Sequence, residues 1–158
     1  MKLEILSLSD ALKFIPYKKT YSIRIFDSDV QLPLLSLRES KNWVFTKNYF
    51  FDDVWPEHWK EFFGEFDYLN AYGMHDSRNI LFDENLARKI LKDYEHLGRS
   101  AESVLIHCVK GNNRSPAIGM AMNEIFEWGI PHLKEKFPNY RKWVYEIMMD
   151  ARKEFRKK

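Results

Sequence analysis

One cysteine, Cys108, is all the thiol chemistry available to this chain of 158 residues. That excludes a disulfide within the chain and any metal centre built on two or more thiolates. Six glycines and six prolines are too few for a flexible linker or a low-complexity protein. No apolar run approaches the roughly 18 residues that a membrane-spanning helix requires. The opening Met1-Lys2-Leu3-Glu4 alternates charge with apolar residues, so no signal peptide is expected there and the cytoplasm is the expected compartment. A net charge of +2 is too small for a general nucleic-acid binder, and none is expected as a partner. What is present is ordinary for a globular protein: 45% hydrophobic and 16% aromatic residues, enough for one domain over residues 1–158 with a core of its own. The last eight residues, Ala151 to Lys158, hold five basic groups against one acid, which reads as the cation-rich end of a helix.

The first half of the chain has short extended signals. Lys2–Leu8 reads as a strand, and Ser9-Asp10 offers an N-cap for a short helix over Ala11–Ile15, stopped by Pro16. Tyr21–Phe26 alternates and carries two isoleucines, a second strand closed by Asp27-Ser28-Asp29. Gln31–Ser40 reads as loop, and Trp43–Thr46 and Asn48–Phe51 as two further short strands. The aromatic-rich Asp52–Met74 is weakly patterned, with Pro56 able to open a short helix through Phe63.

The second half is strongly patterned. Asp83 can cap a helix to Leu97 that ends at Gly98, with Leu86, Ile90, Tyr94 and Leu97 on one face. Ser103–His107 is an apolar run suited to a buried central strand. Arg114–Trp128 is helical in pattern until Gly129, and a last helix from about Asn139 sets Val144, Met148, Ala151 and Phe155 on one stripe. This order predicts a three-layer α/β/α domain with a central, mostly parallel sheet.

Between that strand and the helix after it lies His107-Cys108-Val109-Lys110-Gly111-Asn112-Asn113-Arg114-Ser115-Pro116. A loop of this length can curl until its backbone N–H groups point inward, making an anion-sized nest at a positive helix N-terminus. Gly111 suits the tight turn, and Arg114 supplies a planar fork matched to two phosphate oxygens. Cys108 lies at the floor of those donors, where the field that attracts an anion also favours the thiolate, a nucleophile aimed at the held oxyanion. Taken singly, Cys108 reads as a small buried hydrophobe and Arg114 as a helix-start surface residue. Strand, glycine and helix arranged around both favour the chemical reading.

The string HCVKGNNRS resembles the signature of the cysteine-based protein tyrosine phosphatase superfamily: His-Cys, five residues, then Arg-Ser/Thr. The strand VLIH before it, the helix RSPAIGMAMNEIF after it and the helix from Asp83 resemble that superfamily too, most closely its compact dual-specificity or bacterial and phage members. The resemblance is strong over residues 83 to 129. It implies a phosphatase-like fold and hydrolysis of a phosphate monoester, on phosphotyrosine or dual-specificity protein substrates, through a cysteinyl-phosphate. Cys108 would be the nucleophile; Arg114 and the amides of Val109, Lys110, Gly111, Asn112 and Asn113 would bind the phosphate. Ser115 matches the hydroxyl that assists thiolate departure, and His107 the residue that orders the loop and favours the thiolate. No metal or cofactor is expected. A Walker A loop would need Gly-Lys-Ser/Thr, and the sulfurtransferase loop of the rhodanese type is shorter.

The chemistry also needs an acid to protonate the leaving group. Asp52 and Asp53 close the NYFF strand and resemble the strand-end aspartate of the superfamily, while Asp76, 32 residues before Cys108, has the superfamily's usual spacing. Strand context favours Asp53 and spacing favours Asp76, with Asp52 and the helix cap Asp83 behind them. Trp55, Trp59, Phe62 and Phe63 read as packing; His58 with Glu61 and His75 with Asp76 lack zinc-ligand spacing with any second cluster. An RNA 5′-phosphatase or a phosphoinositide phosphatase would use the same loop, and a catalytically silent phosphate-binding module would share its cradle.

Overall fold

The computed structural model describes residues 1–30, 35–55 and 80–155. Four strands, β1 (Lys2–Ser7), β2 (Thr20–Phe26), β3 (Trp43–Phe50) and β4 (Ser103–Cys108), form one sheet in the order β1-β4-β2-β3. Every pairing is parallel, with β4 central between β1 and β2. The helices are α1 (Leu8–Lys13), α2 (Glu84–Leu97), α3 (Arg114–Ile125), α4 (Leu133–Lys136) and α5 (Lys142–Phe155). The expected three-layer α/β fold is the one observed, and its described strands are wholly parallel. No helix among the described residues is long and apolar enough to cross a membrane.

The sheet's two faces explain why β4 reads as a continuous apolar run. Val104, Ile106 and Cys108 join Tyr21, Ile23 and Ile25 in the main core under the helices, while Leu105 and His107 alternate to the other face with Ser22 and Arg24. All are buried. Helix α3 lies against β1 and β4 and is covered in turn by α5, which also packs on α2. Its residues from Arg114 to Met122 are all buried, so it shows no amphipathic stripe. The α2 face turns Ala87, Ile90, Leu91 and Tyr94 inward, with Leu86 and Leu97 packed at its margins. From α5, Val144, Met148 and Ala151 are buried as their spacing predicts. Asp83 accepts the Leu86 N–H at 2.8 Å, the N-cap read from the sequence.

Several boundaries differ from the expectations. Ser7, not Ser9, caps the first helix, accepting from the Asp10 N–H, so that helix starts directly from β1. The two strands expected over 43–51 are one, because exposed Thr46 and half-buried Lys47 sit at an edge where polar side chains are tolerated. Helix α3 ends at Ile125, where Asn123 bonds both the N–H and the carbonyl of Ile130 and holds the turn that follows. The one-turn α4, lying between Pro131 and Pro138, is too short to leave a periodic signal, and α5 begins at Lys142 rather than Asn139. The expected short helix over 56–63 falls outside the described residues, as do His58, Trp59, Glu61, Phe62, Phe63, His75 and Asp76.

Candidate active site

β4 delivers Cys108 to the C-terminal edge of the sheet, where open parallel sheets present ligands. The chain then makes a sharp loop and enters α3 at Arg114. Two contacts set the loop's inward face. The Val109 carbonyl turns outward to accept the Leu8 N–H at 3.1 Å, tying the loop to the start of α1. The Gly111 N–H turns inward and donates to Cys108 Sγ at 3.2 Å. Gly111 has φ +77, and a Cβ there would lie 2.6 Å from the Ser7 backbone nitrogen. Both the left-handed backbone and the close approach to β1 therefore require glycine at this position.

Cys108 is 2% exposed, and its sulfur also lies 3.2 Å from the Ser115 hydroxyl on the first turn of α3. A thiolate here would be met by two donors and the positive end of a buried helix. Asn113, the residue before α3, sends its side-chain amide to the Asn139 carbonyl at 2.6 Å and accepts the Arg141 N–H at 2.9 Å on its own carbonyl. The loop is thus fastened to the segment that leads into α5.

Arg114 is 5% exposed. Its Nη1 donates to the Phe51 carbonyl at 2.7 Å and pairs with Asp27 Oδ1 at 2.7 Å, so one corner of the guanidinium is gripped from the ends of β3 and β2. The Nε–Nη2 edge has no partner among the described residues. That edge is the two-donor fork that fits a pair of phosphate oxygens.

His107, fully buried on the opposite face, accepts from Arg24 Nε at its own Nε2, 2.9 Å away. Burial, with the neighbouring Arg24 charge, lowers the His107 pKa from 6.5 to about 4, partly opposed by the Cys108 backbone. The imidazole is therefore neutral at ordinary pH, with its proton on Nδ1. It therefore places no formal charge beside the sulfur.

A cleft of about 220 Å³ opens over these groups, lined by Asp27, Asp53, Cys108, Lys110, Asn113 and Arg114, with Val109 at its rim. Asn112 is exposed and does not line it. The four candidate acids have separate placements, and Asp83 is the N-cap of α2, outside the cleft lining. Asp53 lies in the cleft wall, its two oxygens held by Arg141 Nε at 2.6 Å and Nη2 at 3.0 Å, and the guanidinium sits 3.9 Å over the Trp55 ring. Asp52 does not line the cleft. Its carboxylate accepts from the backbone N–H and hydroxyl of Ser28 and from the Ile80 N–H, pinning strand ends together. Asp76 lies outside the described residues.

Three participants escaped sequence reading: Asp27, Arg141 and Arg24. Asp27 reads as turn chemistry after β2, and the sequence pattern singles out neither Arg141 nor Arg24. For Arg24, the available signal was a cation at a position of the strand that a doubly covered parallel sheet buries. Among the described residues no group of three or more His, Cys, Asp or Glu side chains comes together as a metal site. Comparison with protein-family models, with curated proteins and with solved structures finds no match to this chain.

Proposed function

We propose that this protein is a cysteine-dependent phosphatase that hydrolyses phosphate monoesters, on phosphotyrosine or dual-specificity protein substrates, through a cysteinyl-phosphate intermediate. The observation that carries the reading is the convergence on Cys108 Sγ. The Gly111 N–H and the Ser115 hydroxyl each lie 3.2 Å from it, at the start of a helix whose first residue is Arg114.

The chemistry follows in two steps. Cys108 thiolate attacks phosphorus along the axis opposite the leaving oxygen, while the Nε–Nη2 edge of Arg114 and the loop amides hold the equatorial oxygens. Their stabilisation of developing charge is the main source of acceleration. The P–O bond to the substrate breaks as the S–P bond forms, and Asp53 gives its proton to the departing oxygen. For that transfer one of the two Arg141 bonds to Asp53 must open and the freed oxygen must take up a proton from solvent, and an arriving phosphate dianion supplies competing negative charge for Arg141. In the second step water attacks phosphorus, its proton passes to the Asp53 carboxylate, and the S–P bond breaks with the Ser115 hydroxyl donating to the returning thiolate.

Hydrolysis of p-nitrophenyl phosphate at mildly acidic pH, blocked by vanadate and abolished in Cys108→Ser, is the expected result. A strict requirement for a divalent metal would overturn the mechanism. If wild type and Cys108→Ser were equally inactive yet bound phosphate alike, the loop would be a binding module instead.

A further inference from the structure

The sheet has a second basic cleft, separate from the Cys108 opening. It encloses about 660 Å³, against about 220 Å³ over Cys108. Its wall includes Arg24, Arg38 and Lys41, the hydroxyl residues Ser36 and Ser40, and one acid, Glu39. Arg38 and Lys41 are exposed, and such side chains alone would be an ordinary solvated surface. Arg24 is different. It is 4% exposed, on a central region of β2, yet has no carboxylate within ion-pair distance among the described residues.

The contacts of Arg24 satisfy donors without neutralising charge. Nε gives to His107 Nε2, Nη2 to the Leu35 carbonyl, and the guanidinium stacks on the Phe26 ring at 4.9 Å. Nη1 has no partner among the described residues. A buried cation without a counter-anion is strongly unfavourable, and proteins normally pair it. Fixing the His107 tautomer needs a donor to Nε2 and would be met by a neutral amide. It explains neither a full positive charge nor two further cations on the same wall. The low His107 pKa, to which the Arg24 charge contributes, agrees with a guanidinium whose field is not cancelled.

We propose that this cleft is a second anion site, taking the phosphate group of a small molecule between Arg24, Arg38 and Lys41 on the sheet face opposite the main core. The ligand supplies the counter-charge that no described residue gives Arg24. Ser36 and Ser40 have hydroxyls available to the remaining oxygens, and Glu39 is outnumbered by three cations. The site is independent of any reaction at Cys108, although Arg24 and His107 connect the two.

The test is inorganic phosphate titrated calorimetrically into four forms of the full chain: wild type, Arg114→Met, Arg24→Met and the double variant Arg38→Met/Lys41→Met. Wild type should bind two phosphates. Arg114→Met should keep one, and Arg24→Met should lose that one while keeping the other. The Arg38/Lys41 double variant alters only exposed side chains, so it reports even if Arg24→Met does not fold. It should weaken the second site at least tenfold, as expected for two charge-assisted contacts. In Arg114→Met, occupancy should also move the His107 ring titration, followed by NMR, upward. Loss of all binding in Arg114→Met, or unchanged affinity of the second site in the double variant, overturns the proposal. A single site lost in Arg24→Met but retained in Arg114→Met would support it while removing the phosphate-binding role of the Cys108 loop.

Discussion

A Gly111→Ala substitution places a methyl group where the Cys108 loop meets the end of β1. The added Cβ would stand 2.6 Å from the Ser7 nitrogen and 2.7 Å from the Leu6 carbonyl carbon, both backbone atoms of a central-sheet strand that cannot swing aside. The φ of +77 adds about 1–2 kcal/mol for a left-handed alanine, and overpacking against backbone about 1–3 kcal/mol more. Gly129 is the matched control: φ is +72, but nothing lies within 4 Å of its Cβ position. Gly129→Ala should therefore lose only the first quantity, and in chemical denaturation Gly111→Ala should fall below it by about 1–3 kcal/mol. Relief of the clash would have to come from the loop, and the loop carries the Gly111 N–H that donates to Cys108 Sγ. Losing that hydrogen bond should slow the reaction of the Cys108 sulfur with iodoacetamide by roughly 10- to 100-fold, the equivalent of about 1.5–3 kcal/mol for a charge-assisted bond. The alkylation rate reports on Cys108 alone, since this is the chain's single thiol. Should Gly111→Ala alkylate like wild type and denature with Gly129→Ala, the loop is not seated on β1 as described.

Asp53→Ala should lower kcat by roughly 10²–10³-fold and remove the basic limb of the pH–rate profile, as loss of a general acid does; if Asp76→Ala does this instead, the acid lies in the segment before α2. His107, with a pKa lowered to about 4, is neutral in the folded protein while the unfolded chain takes up a proton below about 6.5. The unfolded state thus binds more protons between pH 6.5 and 4, so stability is full above 6.5 and falls by roughly 3 kcal/mol on descending through that window. Denaturation midpoints of wild type and His107→Gln against pH check this, and parallel curves would refute it. Peroxide should inactivate the protein reversibly through a backbone sulfenamide or an added thiol, because no second cysteine exists to form an internal disulfide. Recovery of activity without either adduct in the mass spectrum would contradict that.

The contrast between what was readable and what was not follows the range of the interactions. Asp83 capping α2, the buried run of β4 and the Cys108–Arg114 loop are local features, set by neighbours within a few residues, and each stands where its pattern puts it. The weakly patterned pieces are those whose conformation depends on remote partners: β3, continuous through Thr46 and Lys47 because β2 pairs along its length, and α4, a single turn between prolines. The same division runs through the site. The loop supplies its own cysteine, glycine and arginine, but the groups that contact them come from elsewhere. Asp27 reaches Arg114 from the end of β2, Arg141 reaches Asp53 across 88 residues of chain, and Arg24 reaches His107 across 83. The Asp27 and Arg24 pairings exist because the strand order β1-β4-β2-β3 sets β2 beside β4, and a parallel sheet crosses over through connections whose length says nothing about adjacency. Strand order was the missing quantity: once β2 lies beside β4, the alternation that points Ile23 and Ile25 into the core must turn Arg24 toward His107, one residue from the sulfur.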